Sequence, residues 1–371
     1  MTIPLLDLRA QFQTIKHEVI PALLEVVESQ RFILGEPVVR LEQALAELVG
    51  VPCAVACASG TDALLLSLKV LRLQPDDEVI TTPFTFFATA GAIHNAGGKP
   101  VFVDIDAATF NIDVAQLEDA VTERTRAILP VHLFGQMAPM DDVMGIARPF
   151  GLAVIEDAAQ AVGARQEIAG EWHNAGSLGM TGAFSFFPSK NLGGWGDGGM
   201  ITTGDPGLAE RLRRLRSHGG AKQYHHEEIG TNSRLDSLQA AVLLAKLPHL
   251  AEWNLARRGN ATACTEGLRD LDDITVPATM PSNEHVFNQY TIRAARRDEL
   301  KAHLTARGIG SAVYYPRPLH LQPCFEYLGY TRGQFPEAER ACDEVISLPV
   351  YPELTEDQRN EVVEKIREFY R

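Results

Sequence analysis

The sequence predicts an α/β fold: a mostly parallel central sheet with helices on both faces, followed by a smaller α/β segment. Three observations carry this. From about residue 40 to about residue 250, short β-rich apolar runs alternate with helically spaced ones, the pattern of strands joined by crossover helices. No internal repeat or low-complexity tract breaks the alternation. The chain has 371 residues and 45% hydrophobic content, enough for a large buried core. Length and pattern together place a large domain at 1–250, with an N-terminal arm, and a small one at 251–371.

In chain order, 41–49 reads as a helix, 55–57 as a short strand and 61–71 as a helix opening on a Gly-Thr pair. Strand-like runs follow at 78–82, 100–103, 127–131, 153–155, 182–187 and 199–202, with helical segments at 114–120 and 140–148 between them. Residues 233–254 form a long helical pattern without glycine, in which Pro248 predicts a kink or break. The remainder carries a strand at 288–293, a helix at 297–307 that ends at Gly308, and a closing helix at 355–370.

Composition narrows the function. The formal net charge is −14, which argues against a nucleic-acid binder, whereas an anionic small ligand needs only a few local donors. No apolar run approaches the ~18 residues that span a bilayer, and the opening MTIPLLDLRAQ lacks the apolar centre of a secretory signal. A cytoplasmic protein without membrane partners is expected. The five cysteines, Cys53, Cys57, Cys264, Cys324 and Cys342, are scattered and odd in number, as reduced thiols are. Cys53 and Cys57 lack a second pair at zinc spacing, so no metal is expected.

Three segments carry chemistry, each at a predicted strand end, where open α/β sheets bind ligands. Ser59-Gly60-Thr61-Asp62-Ala63-Leu64 follows a strand and opens a helix. It reads as a phosphate cradle or as an ordinary helix cap. In Val154-Ile155-Glu156-Asp157-Ala158-Ala159-Gln160 an apolar strand runs into two acids. A carboxylate there suits the protonated ring nitrogen of pyridoxal 5′-phosphate (PLP), with Gln160 reaching the ring oxygen; a helix cap or a metal ligand are the other readings. In Phe184-Ser185-Phe186-Phe187-Pro188-Ser189-Lys190-Asn191-Leu192 a lysine lies between an aromatic strand and a glycine run. Desolvation there frees an amine for a Schiff base, although most lysines are simply solvated. One cofactor accounts for all three segments; three separate structural accidents do not.

These motifs resemble the DegT/StrS-type family of sugar aminotransferases, which have the type I PLP-transferase (aspartate-aminotransferase) fold. The likeness runs from Leu6-Asp7-Leu8 to Leu348-Pro349 and includes Val131-His132-Leu133-Phe134-Gly135-Gln136, Gly196-Asp197-Gly198-Gly199 and Asn232-Ser233-Arg234-Leu235-Asp236. The resemblance implies Lys190 as the residue that binds the cofactor covalently and moves the proton, and Asp157 on the pyridine nitrogen. It implies Gln160 on the ring oxygen and Gly60, Thr61 and Ser185 on the phosphate. Phe86 would stack on the ring, where family members often carry Trp or Tyr. Asn232 would reach the phosphate site of a neighbouring subunit, making the active unit a homodimer with its site at the interface. A branch of the family that dehydrates its substrate has His in place of the lysine, so Lys190 indicates transamination. L-glutamate would donate and leave as 2-oxoglutarate, in ping-pong order.

The resemblance also implies a nucleotide-diphosphate keto sugar as acceptor. Tyr315 and His320, in Tyr314-Tyr315-Pro316-Arg317-Pro318-Leu319-His320, would contact sugar or diphosphate, and Arg234 would pair with an anion. Lys222-Gln223-Tyr224-His225-His226-Glu227 reads as a substrate flap, and Trp195 as a plug beside the cofactor loop. The stretch resembles members that aminate C3, which points to a UDP-2-acetamido-3-keto-hexuronic acid, with Arg234 on its carboxylate. A dTDP-3-keto-6-deoxyhexose, a 4-keto sugar and a non-catalytic PLP-binding regulator are the alternatives.

Overall fold

A computed structural model describes residues 2–222 and 224–371. The strands β1 (Cys53–Cys57), β2 (Glu78–Thr81), β3 (Lys99–Phe102), β4 (Thr125–Ile128), β5 (Ala153–Asp157), β6 (Arg165–Ile168), β7 (Glu171–Asn174), β8 (Thr181–Ser185) and β9 (Gly199–Thr203) come first along the chain. Seven of them form the main sheet, in the order β1-β9-β8-β5-β4-β2-β3. Strands β8, β5, β4, β2 and β3 are parallel, and β9 runs antiparallel to both of its neighbours. The predicted α/β class is what is seen. β6, β7 and Asn283–Glu284 make a small side sheet that the strand pattern did not indicate.

Helices cover both faces. They are α1 (Leu8–Ser29), α2 (Glu36–Val49), α3 (Gly60–Lys69), α4 (Ala88–Asn95), α5 (Met140–Ala147), α6 (Pro206–Leu215), α7 (Ser237–Lys246) and α8 (Leu250–Leu268). Side chains alternate across a strand, so one strand feeds two cores. Ala54, Ala56, Val154, Phe184 and Met200 pack with α2, α5 and α7 on one face. Val55, Cys57, Ile155, Ala183 and Ile201 pack with α3 and α6 on the other. Such strands, buried on both faces, read as continuous apolar runs.

Several boundaries differ from expectation, for physical reasons. The 114–120 segment is two short 3₁₀ turns around the buried Leu117, too short to repay helix nucleation. The 233–254 pattern begins at Ser237 and breaks at Leu247–His249, where Pro248 lacks an amide proton, as anticipated. It then continues to Leu268 as α8. A second sheet (Ile274–Thr275, Tyr290–Ala294, Val345–Leu348) gathers its own core with Ala261, Leu300 and Ile366, and Ile3 joins that core from the far end of the chain. All five cysteines are free.

Candidate active site

The cavity that matters opens where β5 and β8 end and α3 begins. It encloses about 560 Å³ and is lined by Gly60, Thr61, Phe86, Asp157, Gln160, Ser185, Lys190 and Tyr315, among others. Seven residues expected at the cofactor thus share one space, although Thr61 and Lys190 are 129 positions apart in the chain.

One wall is the start of α3. Ser59 caps the helix, its Oγ accepting from the Asp62 amide at 3.1 Å. That leaves the Gly60 and Thr61 amides and the Thr61 hydroxyl for an anion. Gly60 is required by space: a Cβ there would lie 2.6 Å from Cβ of Ser185 at the end of β8. A Cβ on Gly199 would meet the Ser59 carbonyl in the same way. Ser233 ties the wall from behind, donating to Asp62 Oδ2 at 2.6 Å while accepting from the Ala58 amide at 3.2 Å.

Asp157 ends β5, and 5% of its surface is exposed. Its Oδ2 accepts from Thr89 Oγ1 at 2.8 Å, and Thr89 pairs with Thr85 at 3.0 Å. Burial raises its pKa, opposed by the Thr89 bond and by the nearby Lys190 ammonium. A buried acid of this kind suits a cationic ring nitrogen, which would return it to the ionised form. Lys190 follows the Phe187–Pro188 turn, its amide donating to the Phe187 carbonyl at 2.9 Å. Lys190 is half-buried, and its amine is desolvated where it lines the cavity. This desolvation pushes its pKa down to about 8, with Asp157 pulling the other way.

Gln160 is engaged at both ends: its Oε1 accepts from the Phe134 amide at 2.6 Å and its Nε2 donates to the Tyr315 hydroxyl at 3.2 Å. Phe86 is 58% exposed at the mouth and lies 6.3 Å from the Tyr315 ring.

Three expected site residues lie elsewhere. His320 is fully buried and bonded to Glu339 at 3.1 Å, edge-on to Phe335; burial lowers its pKa, and it does not line the cavity. As a sugar contact in the chain's own cavity it is corrected to a packed core residue. Arg234 lines a separate hollow with His218, Tyr224 and Glu228. Asn232 is exposed and bridges Ser217, away from the cavity. The flap residues form a short hairpin, Gly220–Lys222 with His225–His226, whose Tyr224 is exposed; Gln223 lies outside the described residues. Trp195 packs edge-on against Phe12 rather than lining the cofactor cavity.

The sequence reading missed the residues behind the site. Glu156 is fully buried and accepts from the amides of Gly176, Leu178 and Gly179 at 2.7–2.8 Å and from His132 at 2.9 Å. Burial alone would raise its pKa, but these bonds hold it below the ordinary carboxylate value. Nδ1 of His132 accepts from the Ala138 amide at 3.1 Å, which leaves Nε2 to donate to Glu156. Adjacent acids in one strand thus divide their work: Glu156 braces the sheet and Asp157 faces the cavity. Thr89 was signalled only by its helical spacing from Thr85. Phe187, Asp197, Gln289 and Tyr314 also line the cavity.

A lysine with a suppressed pKa, a buried acid and an anion seat in one cavity at the ends of parallel strands define a PLP-dependent transferase. Residues 13–367 match the DegT/DnrJ/EryC1/StrS aminotransferase family, and the chain belongs to it. It is a PLP-dependent sugar aminotransferase. The chain is 53% identical to a Geobacillus stearothermophilus protein named "Pleiotropic regulatory protein", covering all of this chain and 99% of that one. It is 47% identical to the UDP-N-acetyl-3-dehydro-alpha-D-glucosamine 3-aminotransferase of Acidithiobacillus ferrooxidans, covering 98% and 97%. Among solved structures, S. venezuelae DesV in complex with a ketimine intermediate superposes with a TM-score of 0.96 at 42% identity, covering 100% and 98%.

Proposed function

We propose that this enzyme carries an amino group from L-glutamate to C3 of a nucleotide-linked 3-keto sugar, in a homodimer in the cytoplasm. The observation that carries the reading is Lys190 sharing a cavity with the buried Asp157. PLP, when bound, supplies an electron sink for the carbanion that forms when the donor Cα–H breaks. In the proposed scheme Lys190 would take that proton from the donor Cα and return it in the second half of the transfer, and its lowered pKa would raise the share of free amine available for the task. Asp157, held by Thr89, would keep the ring nitrogen protonated. The start of α3 and Ser185 would hold the phosphate, and Gln160 with Tyr315 would hold the ring oxygen.

For the acceptor, the A. ferrooxidans relative favours a UDP-linked 2-acetamido-3-keto sugar. Arg234 was the argument for a uronate. It stands outside the cavity, and among the residues lining that cavity Lys190 is the one cation. The preference for a neutral hexose over a hexuronate therefore rests on the A. ferrooxidans relative, because in the proposed homodimer Arg234 would come from the second copy. Apolar side chains left exposed on and around α1 (Ile20, Leu24, Val27, Ile33 and Val39) support pairing with such a copy, as does the outward Asn232. A non-catalytic regulator that binds PLP would use Lys190 and Asp157 as well, and the spectral response to L-glutamate separates the two readings.

The test is an absorbance spectrum of the PLP-loaded protein before and after L-glutamate, followed by candidate keto sugars. Conversion to pyridoxamine phosphate by glutamate, reversed by UDP-2-acetamido-3-keto-glucose in preference to the uronate and to dTDP-3-keto-6-deoxyglucose, supports the reading. Reversal by a 4-keto sugar alone refutes the C3 assignment. No response to glutamate refutes the donor.

A further inference from the structure

Three buried asparagines stand behind the cavity. Asn191 follows Lys190, Asn254 lies in the first turns of α8, and Asn288 precedes the cavity residue Gln289; each is at most 4% exposed. The Asn191 amide is used in full. Its Nδ2 donates to Asn254 Oδ1 at 2.7 Å and to the Val286 carbonyl at 2.9 Å, and its Oδ1 accepts from Asn288 Nδ2 at 2.8 Å. Asn254 Nδ2 in turn donates to the Val162 carbonyl at 3.1 Å, two residues beyond Gln160. The carbonyls of Val286 and Val162 accept only, which fixes the orientation of these two side-chain amides and gives the chain one direction, Asn288 to Asn191 to Asn254 to Val162. Gly163 makes room for it: φ there is +81°, and a Cβ would lie 2.7 Å from Asn254 Nδ2.

We propose that Asn191, Asn254 and Asn288 are a positioning unit that aims the Lys190 amine at the cofactor. Lys190 lies on a loop, outside helix and sheet, so no regular ladder fixes its backbone. The asparagine chain supplies that restraint. It also joins the lysine to the segments that carry Gln160 and Gln289, so three parts of the cavity wall hold one register. Proton transfer at two carbons by one amine demands such register, because a displacement of about 1 Å can slow a reaction by about a hundredfold. None of the three asparagines lines the cavity, so each acts through Lys190.

The experiment uses the full-length protein carrying Asn254→Leu and loaded with PLP. Without any donor, the pH titration of the lysine-bound cofactor, followed by absorbance, should shift its midpoint by about half a pH unit or more. This reading needs only cofactor binding, so it stands apart from the choice of L-glutamate. With glutamate, the single-turnover rate should fall about tenfold or more, while the half-saturating glutamate concentration changes little. A folded variant that melts earlier yet keeps the wild-type midpoint and rate overturns the proposal. Should Asn254→Leu fail to fold, Asn288→Ala, which removes only the donor to Asn191, carries the same expectations and the same refutation.

Discussion

Gly60→Ala tests the phosphate seat through a single methyl group. The new Cβ would lie 2.6 Å from Ser185 Cβ and 3.1 Å from its Cα, where ordinary contact begins near 3.4 Å. Neither atom can swing aside, because both belong to the end of β8 rather than to a flexible side-chain tip. The start of α3 and the end of β8 must therefore part by about 0.8 Å, the difference between 3.4 and 2.6 Å. Overpacking of this size costs about 1–3 kcal/mol. The two parting edges carry Thr61 and Ser185, the groups proposed for the phosphate. A bound phosphate needs them close, whereas the apoprotein relaxes by opening, so most of the cost falls on binding. PLP affinity should drop about 5- to 150-fold. Equilibrium dialysis of the apoprotein against PLP measures this, with pyridoxal, which lacks the phosphate, in parallel. Gly145→Ala in α5, where nothing lies within 4 Å of the added Cβ, should leave both affinities unchanged. Wild-type PLP affinity in Gly60→Ala refutes the reasoning, and an equal loss for PLP and pyridoxal refutes the phosphate assignment.

Two further expectations follow from the ionisable groups. Apoprotein should capture PLP through Lys190 at a rate that climbs about tenfold per pH unit below pH 8 and levels off above it, because the neutral amine reacts and its pKa is about 8; Lys190→Ala should abolish turnover, and a flat pH profile in stopped-flow absorbance would count against the desolvated amine. Glu156→Gln turns an NH₂ either toward the Leu178 and Gly179 amides or toward the Gly176 amide and His132 Nε2, and removes a charge-assisted acceptor. It should destabilise the protein by about 3 kcal/mol or more in urea unfolding. Because the folded pKa of Glu156 lies below 4.5, its stabilising effect holds above the unfolded value and is lost as pH falls through the folded one. The variant should therefore show a shallower acid decline below about pH 5 than the wild type.

The elements legible in the sequence were those whose own residues declare them. β1, β5, β8 and β9 are buried on both faces, so each reads as an apolar run; Asp157 closes β5, and Gly60 and Lys190 follow β1 and β8 by three and five positions. α1 was not legible. It buries Gln11, Ile15, Val19 and Val26 yet exposes Ile20, Leu24 and Val27, and it holds Pro21 in its interior. Apolar side chains all round the helix leave no stripe to recognise. The β6–β7 hairpin is short and polar, with Arg165, Glu167, Glu171 and Asn174, and its pairing with Asn283–Glu284 is set from the other end of the chain.

The same rule divides the site. Lys190, Asp157 and Gly60, which share the cavity, are legible because each comes with its own local setting, a strand end or a turn. Thr89, His132 and the asparagine chain are not, because their function is a partner: Asp157 lies 68 residues from Thr89, Glu156 24 from His132, and Asn288 97 from Asn191. His320 shows the converse error. Its neighbours in sequence, Tyr315 among them, face the cavity, but Glu339 and Phe335 from the following helical region claim its ring. A motif names the groups that meet the cofactor; only the fold names those that aim them. Substitutions in the second set should accordingly alter rates and titrations of Lys190 before they alter what the cavity binds.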